Sequence, residues 1–118
     1  MDTMDSMTPD SWHNDSALVR SASTLIARDF ADDDGTELLP IVDVFDELRA
    51  HVIARIADML AREPEHLMHV LYRLDVAEAS VRDVLATAWP GDVPGLLAEL
   101  VIERELRKVV TRREYARR

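Results

Sequence analysis

The sequence contains no cysteine, only three glycines and one lysine, and no long apolar run. Without cysteine, disulfides, thiolate metal sites and thiol nucleophiles are excluded. With so few glycines a phosphate-binding loop is hard to build, and no Gly-x-Ser-x-Gly segment is present. No apolar stretch approaches the ~20 residues needed to cross a bilayer, and the amino terminus carries acids where a secretory signal has bases. We therefore expect a soluble cytoplasmic protein that is not an enzyme, has no cofactor and does not enter a membrane.

The residues that are present favour helices. Apolar residues make up 47% of the chain, which is typical of folded domains, and 118 residues are enough for one modest core. Ala, Leu, Arg, Glu and Met, all good helix formers, are plentiful. We expect an all-α fold, a small bundle of four to five helices. A single helical domain at 15–118 would follow a disordered acidic tail at 1–14.

Charge is unevenly distributed along the chain. The net charge of −9 divides into −10 for residues 1–47, −4 for residues 48–103 and +5 for residues 104–118. All basic residues except Lys108 are arginine. A surface rich in aspartate and poor in lysine suits a halophilic source, because self-repulsion keeps such a protein soluble in concentrated salt. A GC-rich genome produces a similar bias, so both explanations stay open.

Apolar residues spaced three and four apart predict the helices. The expected spans are 15–30, 41–62, 64–74, 78–88 and 92–115. Asp15 or Ser16 is a candidate N-cap for the first of these helices. Asp75 and Glu78, three residues apart, indicate a capping box before the fourth. The run ADDDGTE at 31–37 reads as a solvated loop, since it lacks the ligand spacing of a calcium-binding EF-hand.

Met68 and Tyr72 are candidate partner-binding residues. They lie four positions apart on the helix at 64–74, outside its main apolar stripe of Leu67, Val70 and Leu71. Tyrosine and methionine are enriched at protein interfaces. One interpretation is that this strip contacts a partner, most simply a second copy of the chain. The other is that the helix at 15–30 covers the strip within the monomer.

A row of basic residues near the carboxy terminus suggests an alternative function. In a helix, Arg104, Lys108 and Arg112 share a face at four-residue spacing, with Arg107 and Arg113 beside them. Such a row is suited to contact phosphates of nucleic acid. Against this, bases at a helix C-terminus also favour the helix dipole and pair with acids elsewhere. The net negative charge and the scarcity of aromatic residues further disfavour nucleic-acid binding.

Three of the four histidines raise a third hypothesis, a metal-dependent enzyme. His66 and His69 share a helix face, Glu63 to His66 is a Glu-x-x-His step, and His51 lies on the preceding helix. Di-iron helical bundles require two such steps and two further carboxylates. The step from Glu47 to His51 has four residues instead of three. We therefore expect structural histidines and no metal site.

Two segments carry a resemblance to known sequences. LYRLDVAE at 71–78, together with ELVIERELRKVVTRREY at 99–115, resembles a group of small uncharacterised bacterial proteins. In that group an LYRxDV-type segment precedes a helix of the pattern I-E-R-x-x-x-K-x-x-x-R. The resemblance spans about 44–115 and implies a small helical domain. It implies no activity, so no functional residue is carried over.

Overall fold

The computed structural model describes residues 9–31 and 39–117 of the chain. Within those ranges the backbone forms six α-helices and one 3-10 turn, with no strand, so the expected all-α fold is confirmed. No helix in these ranges is long and apolar enough to cross a membrane. The elements are α1 (Pro9–His13), α2 (Ser16–Asp29), α3 (Phe45–Arg62), α4 (Pro64–Arg73), α5 (Glu78–Thr87), the 3-10 turn (Pro90–Asp92) and α6 (Val93–Ala116).

The long helix α6 is central to the fold. It packs against α2, α3 and α5, so apolar residues cover a broad face of it. Its pairing with α3 is antiparallel, because Arg49 pairs with Glu99 at 3.1 Å while the later residue Ile53 lies beside the earlier Gly95. The buried positions of α6 are Val93, Leu97, Ala98, Val101, Ile102, Glu105, Leu106 and Val109. A single apolar core connects Trp12 in α1 with Val109 in α6.

Part of the predicted amino-terminal tail is helical. The expectation of a disordered tail at 1–14 is wrong for residues 9–14, because Pro9–His13 form α1 and Trp12 is buried in the core. The guanidinium of Arg107 lies 5.8 Å from the centre of the Trp12 ring, within cation–π range. Burial of a large aromatic side chain offsets the entropy of ordering one short turn. Residues 1–8 lie outside the described residues.

Helix α2 begins where its capping signal indicates. The side chain of Asp15 accepts a hydrogen bond from the backbone N–H of Leu18 at 3.1 Å, which confirms Asp15 as the N-cap. The helix ends at Asp29, one residue before its predicted end. The predicted loop at 31–37 falls almost wholly within residues 32–38, which lie outside the described residues.

Helix α3 begins four residues later than predicted. The hydroxyl of Ser23 in α2 accepts a hydrogen bond from the N–H of Val42 at 2.9 Å and donates one to the carbonyl of Pro40 at 3.5 Å. These two bonds tie residues 40–42 to α2 and compete with a helical conformation there. Val44 is extended and occupies the N-cap position of α3.

The junction between α4 and α5 differs from the predicted capping box. Asp75 has a φ of 63°, in the left-handed region, and directly follows the C-cap residue Leu74. The N–H of Asp75 donates to Tyr72 O at 3.0 Å and that of Val76 donates to Leu71 O at 3.2 Å, the pattern of a Schellman motif. The capping-box interpretation is therefore wrong: Asp75 ends α4, and Ala77 is the N-cap of α5.

Candidate protein-interaction surface

Met68 and Tyr72 lie on the outer face of α4, and they differ in exposure. Met68 is half-buried against the core, whereas 80% of the Tyr72 surface is exposed. Leu67, Val70 and Leu71 of the same helix are buried. The spacing of apolar residues therefore identified an apolar strip on α4, and the tyrosine of that strip is exposed in the monomer.

A groove between α4 and α5 adjoins the exposed tyrosine. Its volume is about 130 Å³. We call it the α4–α5 groove, and its lining residues are Met68, Leu71, Tyr72, Val76, Glu78 and Val81. Five of these six side chains are aliphatic or aromatic, so the groove offers an apolar surface with one carboxylate at its edge.

The reversal of the chain after α4 forms one wall of this groove. In a Schellman motif the residue after the left-handed position packs against the last turn of the helix. Here that residue is Val76, which lines the groove together with Leu71 of that last turn. The carboxylate of Asp75 pairs with Arg104 of α6 at 2.9 Å and anchors the reversal to the central helix.

Helix α2 does not cover Tyr72. It packs mainly on α6, and its carboxyl end reaches α4 where Arg73 Nη2 donates to the carbonyl oxygen of Asp29 at 3.1 Å. The interpretation that the helix at 15–30 covers the strip in the monomer is therefore wrong for Tyr72. The apolar side chains of α2 are used instead against the longer α6.

Apolar side chains remain exposed beyond the groove on α5 and in the turn that follows it. Leu85 lies one helical turn after Val81 and is 45% exposed. Trp89, four residues further on, is 79% exposed. Trp89 falls between the predicted helices at 78–88 and 92–115, so its exposure was not predicted. Its position directly before Pro90, where a helix is disfavoured, was the available signal that its side chain lacks a place in the core.

The structure does not bring the five predicted basic residues together as one free row. Four of them already contact a residue within the chain. Arg104 pairs with Asp75 at 2.9 Å, Lys108 with Glu105 at 2.8 Å and Arg113 with Asp15 at 3.6 Å, while Arg107 lies over the ring of Trp12. Arg112 is exposed, and no carboxylate among residues 9–31 and 39–117 pairs with it.

Glu105 is a buried acid that sequence reasoning did not identify. It lies near the centre of the buried face of α6, and only 1% of its surface is exposed. A buried carboxylate needs an opposite charge, and the Lys108 ammonium one turn later supplies it. Lys108 therefore neutralises a buried acid, so it is not available to contact a phosphate in the predicted basic row.

The histidines are dispersed over the structure. His13 stacks on Phe45 with ring centres 3.6 Å apart, and its Nε2 lies 3.9 Å from a Glu103 carboxylate oxygen. Glu103 and Arg107, four residues apart on α6, thus both contact α1. In the part of the chain that the structure describes, no three His, Cys, Asp or Glu side chains form a group able to hold a metal ion.

No protein-family model, curated protein or solved structure matches this chain.

Proposed function

We propose that this protein is a non-enzymatic cytoplasmic helical module that acts through protein–protein interaction, and that its partner is a second copy of itself. The observation that carries the proposal is Tyr72, 80% exposed at the edge of the apolar α4–α5 groove. Aromatic side chains next to apolar clefts are the typical anchors of protein interfaces.

In a dimer with two-fold symmetry, the same surface of both copies forms the interface. In such a dimer each residue contact occurs twice, so Tyr72 of each copy enters the groove of the other. A tyrosine hydroxyl needs a hydrogen-bond partner when it is buried. The Glu78 carboxylate at the edge of the groove is an acceptor within the same surface.

Charges on α4 favour an antiparallel arrangement of the two copies. Glu65 lies in the first turn of α4 and Arg73 in its last turn, on either side of Met68 and Tyr72. When two α4 helices pair antiparallel, the acid of one copy faces the base of the other at both ends. Opposite charges at the rim of an interface set orientation and register.

Nucleic-acid binding through the basic carboxy-terminal helix is less well supported by the geometry. To contact phosphates, Arg104, Lys108 and Arg113 would have to leave the carboxylates they now pair with. For Lys108 that would leave the buried Glu105 without an opposite charge, which is unfavourable. The net charge of −9 adds long-range repulsion.

Substituting Tyr72 with Asp tests the proposal. We expect the unchanged chain to be a dimer in light scattering after size-exclusion chromatography. Tyr72→Asp should be a monomer, because a charge placed in an apolar interface is costly to bury. The stability of the monomer should change little, since the side chain is exposed.

The matched control is Tyr115→Asp, the same change at the other tyrosine, which is 69% exposed at the end of α6. This variant should remain dimeric. A monomeric unchanged chain, or equal dissociation of both variants, would contradict self-association through the α4–α5 groove. Nucleic acid that co-elutes at low salt, and is lost on charge reversal at Arg107 and Arg112, would support the alternative instead.

A further inference from the structure

A second groove lies between α2 and the carboxy-terminal part of α6. Its volume is about 420 Å³, within the range of roughly 300–1,000 Å³ that small-molecule sites occupy. We call it the α2–α6 groove, and its lining residues are Ser21, Thr24, Leu25, Val109, Arg112, Arg113 and Ala116. None of them lines the α4–α5 groove.

The α2–α6 groove combines an apolar floor with a basic rim. Leu25 and Val109 are buried and belong to the core, so their sides that line the groove form a firm apolar surface. Two guanidinium groups, of Arg112 and Arg113, stand beside it. An apolar floor with a few convergent polar groups is the usual composition of a ligand site.

The rim contains Arg112. Among the five residues of the predicted basic row, it alone contacts no carboxylate or aromatic ring within residues 9–31 and 39–117. Arg112 is exposed, and none of the residues in 9–31 and 39–117 forms an ion pair with it. Arg113 beside it shares its charge with Asp15, whose carboxylate oxygen is 3.6 Å away. A guanidinium favours a carboxylate because two N–H groups can donate to its two oxygens at once.

We propose that the α2–α6 groove binds a small organic anion with an apolar body, namely an acyl-chain carboxylate. The carboxylate accepts hydrogen bonds from Arg112, and the acyl chain lies on Leu25 and Val109. The charge of Arg112 suits the carboxylate of such a molecule, and the apolar floor suits its acyl chain. This site shares no residue with the proposed dimer surface, so each proposal can fail without the other.

Titration with three small probes separates the two halves of the ligand. Sodium octanoate should bind, with amide NMR shifts centred on residues 21–25 and 109–116. Sodium acetate carries the charge alone and octan-1-ol the chain alone, so each should bind at least about tenfold more weakly. Hexanoate should bind about tenfold more weakly than octanoate, because two methylene groups leave the apolar surface.

Two exposed variants locate the site. Arg112→Gln should raise the dissociation constant for octanoate about tenfold, because a charged hydrogen bond is lost. Ala116→Leu should weaken octanoate and octan-1-ol alike, since the larger side chain occupies the groove. Both changes are at exposed helix positions and introduce good helix formers, so both variants should fold.

The matched controls are Arg62→Gln and Ala57→Leu, at exposed positions of α3 away from the groove. Both should bind octanoate like the unchanged chain. The proposal is overturned if octanoate does not bind, if acetate binds as well as octanoate, or if Arg112→Gln and Ala116→Leu both leave octanoate binding unchanged.

Discussion

At the scale of single residues, Asp75 shows how one backbone conformation determines the candidate interaction surface. Its φ of 63° turns the chain after α4, and aspartate tolerates the left-handed region better than most residues. The turn places Val76 against Leu71 in the α4–α5 groove, and the ion pair with Arg104 holds it there. A residue whose spacing indicated a helix start thus serves as a helix end.

The same turn leaves α5 without a side-chain cap, which makes a stability prediction possible. Ala77 is the N-cap and cannot accept a hydrogen bond from the first turn of α5. Ala77→Ser should raise the free energy of unfolding by about 1 kcal/mol, because its hydroxyl accepts from an otherwise unpaired backbone N–H. Urea denaturation followed by circular dichroism measures this change.

The control is Ala86→Ser, at an exposed position within the last turn of α5. There serine supplies no cap and has a lower helix propensity than alanine, so the variant should be slightly less stable. If the two variants were equally stable, Ala77 would not be acting as the N-cap of α5.

At the scale of elements, α1 illustrates how five residues become ordered through tertiary contacts. Helices this short are not stable alone. Trp12 supplies burial against the core, and the stack of His13 on Phe45 joins α1 to the first residue of α3. Just after α1 in the sequence, Asp15 forms an ion pair with Arg113 that connects the start of α2 to the end of α6.

Replacing the two tryptophans separately tests the packing of α1. Trp12→Ala should lower the free energy of unfolding by about 3 kcal/mol, since the side chain is 8% exposed. Trp89→Ala should change it by less than about 0.5 kcal/mol, since that side chain is 79% exposed. Denaturant unfolding of the dilute monomer measures both values.

Fluorescence of the same variants provides an independent check. The emission of the Trp89→Ala protein, which retains Trp12, should lie at shorter wavelength than that of the Trp12→Ala protein. Equal stabilities and equal emission maxima in the two variants would show that α1 does not pack on the core.

At the scale of the whole molecule, local sequence patterns predicted the helices, whereas contacts between residues distant in sequence were not predicted. The spacing of apolar residues located α2, α4, α5 and α6 to within about two residues at each end. The helical pattern from Ile41 was overridden by the bonds from Ser23 to Pro40 and Val42, which only a folded chain brings together. Trp12 was missed for the same reason, because its environment is formed by α6.

The candidate site was likewise predicted only where it depends on residues close together in sequence. Met68 and Tyr72 were identified from their spacing on one helix, but the second wall of the groove depends on how α5 is placed. The basic row was dispersed by partners far away in sequence. Arg113 pairs with Asp15, near the other end of the chain, and no periodic pattern connects two such positions.

The net charge also bears on assembly. Two copies with a charge of −9 each repel one another, and salt screens this repulsion, whereas apolar burial in the groove is not weakened by salt. Self-association should therefore strengthen as potassium chloride is raised.

Cysteine cross-linking tests the central claim most directly, because the chain has no cysteine of its own. His69 lies midway between Glu65 and Arg73, so in an antiparallel pair of α4 helices it meets its own copy. His69→Cys should form an intermolecular disulfide rapidly under mild oxidation, while Ala57→Cys on the exposed side of α3 should not. Equal, slow cross-linking of the two variants in high salt would contradict a dimer formed through α4.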